Sequence, residues 1–160
     1  PIVYYGGKYY TSIGFADKGY ACLGMLGYQS PDSKGKAIWT VIIQCSILHD
    51  ENSTHAGVGG WLQTLCGLHM FLGFKNSPCI SPSDFSELAY RITGTGGYPK
   101  ESIKNAFFHT FVKDDSVHKN NIARIIAEDS NVADHDTIDS WNSMIYVDNV
   151  KVIYACWIPG

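Results

Sequence analysis

Val58-Gly59-Gly60-Trp61-Leu62-Gln63-Thr64-Leu65-Cys66-Gly67-Leu68-His69-Met70-Phe71-Leu72-Gly73 is the stretch whose periodicity decides the fold class. Val58, Trp61, Leu62, Leu65, Leu68, His69 and Leu72 recur at the three- and four-residue spacing of one helix face. Gly73 stands where a left-handed cap belongs. The pattern predicts a core helix, with His69 a satisfied core or boundary residue on its apolar face.

Further helices are predicted downstream of it. Ser81-Pro82 opens one carrying Phe85, Leu88, Ala89 and Ile92, with Ser81 as cap, Pro82 at the first helical position and Asp84 complementing the dipole. Pro99 opens another, with Ile103, Ala106, Phe107 and Phe111 on one face. Ser116 is expected to cap a third with Ile122, Ile125 and Ile126 inward, and a short helix is expected from Thr137 through Trp141 to Ile145. The flanks read differently. Tyr4, Tyr5, Gly6, Gly7, Tyr9, Tyr10 and Gly14 suit short strands and tight turns, Ile38-Trp39-Thr40-Val41-Ile42-Ile43 a buried strand, and Lys151 to Cys156 a final strand. The chain therefore reads as one α+β domain over residues 1–160, helix-rich in the middle with strands near both ends. Its expected core includes Trp61, Leu62, Leu65, Leu68, Phe85, Leu88, Phe107, Trp141 and Val152.

With 160 residues, 45% of them apolar and 17% charged, the chain fits one packed domain and excludes a disordered tail or a simple coiled coil. Twelve Lys and Arg against fifteen Asp and Glu leave a net charge of −3. The longest basic cluster is Lys34-Gly35-Lys36, too short for the cationic stripe of a duplex binder, so no nucleic-acid partner is expected. No apolar run approaches the ~18 residues of a membrane span, and none is expected. The five cysteines form no C-x-x-C pair, and an odd number cannot all pair within the chain. Free, mostly buried thiols in a reducing intracellular compartment are the simpler expectation.

Three residues are candidates for chemistry. Cys22 falls in Gly19-Tyr20-Ala21-Cys22-Leu23-Gly24-Met25-Leu26, read as a close-packed helix within Asp17–Gly27. In the first turn of such a helix, backbone N–H groups and the dipole would favour a thiolate. His109, among Phe107, Phe108 and Phe111, is a candidate buried base for it. His135 lies between Asp134 and Asp136, two carboxylates suited to an imidazolium. His49, Asp50, Glu51 and His55 lack the one-turn spacing of a zinc helix, and Gly57-x-Gly59-Gly60 lacks a phosphate-loop register. Neither metal nor cofactor is expected.

The Gly19–Leu26 stretch resembles the first helix of papain-like cysteine peptidases that process double-glycine leaders, whose pattern is Asp-Cys-Gly-x-Ala-Cys-Leu-x-Met. Asp17, Gly19, Ala21, Cys22, Leu23 and Met25 match it, and Lys18 stands in the place of that family's nucleophile. Streptopain-like members instead use Gly-x-Cys, whereas Cys22 is three residues after Gly19. Trp141-x-x-Met144 and Val152-Ile153-Tyr154 are similar to the helix and strand that precede the streptopain-like catalytic His, which lies in a Gly-His-Ala continuation absent here. The resemblance implies a papain-like fold. Two functions are expectations. One is a thiol peptidase or acyltransferase acting on a polypeptide through Cys22 with His109 or His135, in a self-processed polyprotein or effector fragment ending at Gly160. The other is a catalytically inactive domain of a degenerate thiol-hydrolase fold that binds a protein partner.

Overall fold

A computed structural model describes residues 2–5, 8–14, 20–22, 38–50, 69–140 and 152–159. The architecture is α+β. Strands β1 (Ile2–Tyr5), β2 (Lys8–Gly14) and β3 (Tyr20–Cys22) form an antiparallel three-stranded sheet, with Tyr4 opposite Tyr9 and Ser12 opposite Cys22. A second sheet has the order β4 (Trp39–Val41), β5 (Met70–Phe74), β6 (Ala123–Ala127), β7 (Val152–Cys156). β4 runs parallel to β5 and the other pairs are antiparallel. Helices α1 (Pro82–Thr93) and α2 (Ile103–Phe111) lie between β5 and β6 in the chain, and α3 (Ser130–His135) follows β6.

The register explains the core. Met70, Leu72 and Phe74 of β5 stand opposite Ala127, Ile125 and Ala123 of β6, which in turn stand opposite Val152, Tyr154 and Cys156 of β7. Side chains two apart share a sheet face, so these residues form one apolar surface. Ile103, Phe107 and Phe111 of α2 and Val132 and Ala133 of α3 pack against it. On the outer edge Ile153 turns away and is 50% exposed.

Two expected helices are strands. All five residues of β5 are buried, so its apolar run fills both faces of a central strand rather than one face of a helix. Gly73 does not cap a helix. A Cβ there would lie 2.4 Å from Ile47 Cγ2, so glycine is what lets the Ile47–Leu48 segment cross the sheet. Likewise Ile125 and Ile126 point to opposite faces of β6. The remainder of the expected Val58 helix, and Trp141–Ile145, lie outside the described residues.

The helix expected at Ser81 is present, and the one expected to open at Pro99 begins instead at Ile103. The Asp84 carboxylate accepts the Ser81 backbone N–H at 2.6 Å, and α1 ends at Gly94, whose φ of 70° suits only a residue without Cβ. The Ser102 hydroxyl caps α2 by accepting from Asn105 N. Phe107 is fully buried as expected, whereas Phe85 is 51% exposed.

An ion-pair chain ties α1 to α2 and to the loop after it. Arg91 bridges Glu87 (2.9 Å) and Glu101 (2.6 Å), and Lys113 reaches Glu87 at 2.6 Å. At its end, buried His118 is held by Asp84 through Nε2 (2.9 Å) and by Asp115 through Nδ1 (2.8 Å). Carboxylates only accept, so both ring nitrogens donate and the ring is an imidazolium. Burial pushes the His118 pKa down, but its bonds to Asp84 and Asp115 outweigh that and leave it above the ordinary value. The His118 ring, then its backbone N–H, pulls Asp115 to about 2. A raised histidine pKa stabilises the fold fully below ~6.5 and ceases to as pH climbs through the folded value. A lowered aspartate pKa stabilises above ~3.9 and is lost as pH falls through about 2. The clamp is therefore fully engaged between about pH 4 and 6.5. Melting temperature should decline above that window in the native chain and decline less in His118→Gln; parallel profiles from pH 6.5 to 9 would contradict this clamp.

Candidate active site

The second sheet ends, at the N-terminus of β5 and the C-terminus of β6, in a polar group buried among apolar residues. His69 immediately precedes β5. Its backbone N–H donates to Ile38 O (2.8 Å) and its carbonyl accepts from Glu128 N (3.0 Å), so the ladder on both sides fixes its backbone. Asp129 caps α3 by accepting from Val132 N at 2.7 Å. The six residues of α3 then fold back so that Asp136 follows the helix C-terminus, its N–H donating to Val132 O (3.1 Å) and its carbonyl accepting from Ile103 N (2.9 Å). β4 brings Trp39 alongside Met70.

These three elements converge on one oxygen. Asp136 Oδ2 accepts from His69 Nδ1 at 2.7 Å and from Trp39 Nε1 at 3.0 Å. His69 and Asp136 are both 0% exposed. With Nδ1 donating to the carboxylate, a neutral ring carries its lone pair on Nε2. It is buried and has no hydrogen-bond partner among the described residues. Leaving such a group unsatisfied costs about 1–3 kcal/mol, and in native proteins that calls for a reason. An imidazole held by a carboxylate at one nitrogen and unpaired at the other is the arrangement that base–orienter pairs of nucleophilic sites use.

The candidates taken from sequence are placed elsewhere. Cys22 ends strand β3, not the first turn of a helix, so the dipole argument for its thiolate does not apply; its side chain lies outside the described residues. His109 sits on α2, as expected, but its side chain is 59% exposed and bonds Glu101 at 2.7 Å; Phe107 and Phe111 face the core and it does not. His135 is exposed at the end of α3 and bonds the Asn131 carbonyl at 3.0 Å. Its two acidic neighbours turn away to other partners, Asp134 to Lys104 and Asp136 to His69. Of the described cysteines, Cys45 and Cys79 are exposed, and burial pushes the Cys156 thiol up, away from reactivity. No cluster of three or more metal-ligating side chains occurs among the described residues. No described helix is long and apolar enough to cross a membrane.

His69 and Asp136 are what the sequence reading missed as a pair. They lie 67 positions apart, with two strands and three helices between. The one local signal was a histidine directly before a five-residue apolar run, which the helical spacing disguised.

Over 159 residues, 98% of the chain, the sequence is 52% identical to an uncharacterized protein of Archaeoglobus fulgidus. The chain spans 58% of that protein's length. No family model matches the chain. No solved structure matches it either.

Proposed function

We propose that the domain is a thiol hydrolase or acyltransferase acting on polypeptides, with His69 as general base, Asp136 as its orienting carboxylate and Cys22 as nucleophile. The observation that carries this reading is the buried His69–Asp136 pair with its open Nε2. The choice of thiol rests on the sequence reading of Cys22 as a small-residue-flanked cysteine; in the leader-peptidase pattern it matches the second cysteine, and Lys18 holds the nucleophile's place. Cys22 lies in a strand, so imidazole rather than a helix terminus has to generate the thiolate. In this scheme Nε2 takes the thiol proton as sulfur attacks the scissile carbonyl carbon. The same proton then passes to the leaving amine as the C–N bond breaks, leaving a thioester. Water, deprotonated at Nε2, hydrolyses the thioester, or a second amine takes the acyl group.

The test is the rate at which iodoacetamide alkylates each thiol near neutral pH. One thiol, Cys22, should react far faster than the other four, and His69→Gln should slow it by ~10²–10⁴-fold, the usual contribution of a positioned base. Five thiols reacting at similar slow rates, unaffected by His69→Gln, would overturn the proposal and favour a non-catalytic protein-binding domain.

A further inference from the structure

Asp136 Oδ2 accepts from two N–H groups on different elements, His69 Nδ1 at 2.7 Å and Trp39 Nε1 at 3.0 Å. An indole nitrogen only donates, so Oδ2 accepts from Trp39, and with an ionised carboxylate the proton shared with His69 belongs to Nδ1. A carboxylate that loses a donor is freer to rotate about its Cβ–Cγ bond and exchange its oxygens. The second donor, on the edge strand beside β5, opposes that rotation. We infer that Trp39 is a positioning residue of this site: its indole N–H fixes the Asp136 carboxylate and, through it, the tautomer and tilt of the His69 ring. The inference rests on the acid–base reading of His69.

Trp39 also touches the apolar core, so loss of stability alone would say nothing about positioning. Trp39→Phe keeps most of the ring and deletes the donor. Two readouts are needed. In ¹⁵N spectra of the His69 ring, the native chain should show a single neutral tautomer with the proton on Nδ1, and Trp39→Phe a mixture of both. Alkylation of Cys22 by iodoacetamide should slow by roughly 10–10²-fold in Trp39→Phe, the scale of a small misplacement of a catalytic group, while Cys45 and Cys79 keep their rates. A single unchanged tautomer in Trp39→Phe would overturn the positioning role. A mixed tautomer with every alkylation rate level, in Trp39→Phe and Asp136→Asn alike, would support the positioning of the ring and overturn the thiol reading instead. Should Trp39→Phe fail to fold, the native chain still decides. One of its four indole N–H resonances should be strongly protected from exchange and show a through-bond coupling to the Asp136 carboxylate, and absence of that coupling would overturn the inference.

Discussion

Asp136→Ala should destabilise the domain by about 2–5 kcal/mol, the loss expected when a buried acceptor serving two N–H donors is removed. The carboxylate is fully enclosed and two N–H donors depend on it. Deleting it leaves the buried His69 Nδ1 without that acceptor, at ~1–3 kcal/mol, and takes the same partner from the half-buried Trp39 Nε1 at a smaller cost. Asp136→Asn keeps the volume and one acceptor oxygen, so its stability loss should be smaller, while its alkylation rate at Cys22 should still fall. Urea unfolding of the two variants separates these effects. An Asp136→Ala loss under ~1 kcal/mol would mean that the polar group contributes nothing net to the fold.

The second large effect is expected at Phe107. Its ring meets Phe111 at 5.1 Å and Phe74 at 5.4 Å, joining α2 to β5, and it is fully buried. Phe107→Ala removes those contacts and leaves a cavity beneath α2, for a loss of about 3–5 kcal/mol. Phe85, on the exposed side of α1, should lose less than about 1 kcal/mol on the same change. Equal losses at the two positions would mean that α1 and α2 present different faces to the sheet.

The contrast between those phenylalanines marks how far the sequence could be read. Ser81-Pro82 is a local signal whose chemistry is complete within one helix turn, and the start of α1 follows from it. Pro99 predicts the opening of α2, which instead begins at Ile103 with Ser102 as its cap. Which face of α1 is covered depends on α2, so Phe85 could not be placed from spacing alone. Met70–Phe74 and Ala123–Ala127 are short apolar runs whose neighbours, three and four apart, mimic a helix. Their strand character comes from pairing with each other across two intervening helices. Cys22 failed in the same way, since its small-residue surroundings fit a helix but it pairs opposite Ser12 in a sheet. The candidate site was the least legible part. His135 drew attention through its acidic neighbours, yet a single residue's turn at the end of α3 sends Asp136 inward to His69 and leaves His135 in solvent. No spacing rule encodes that turn.

The central claim is that His69 Nε2 faces the nucleophilic thiol. Its most direct measurement is a crystal structure of the chain alkylated with one equivalent of iodoacetamide. The account predicts the adduct on Cys22, with its sulfur within hydrogen-bond reach of His69 Nε2 and Nδ1 still on Asp136. An adduct on Cys45 or Cys79, with Nε2 distant from every thiol, would contradict it.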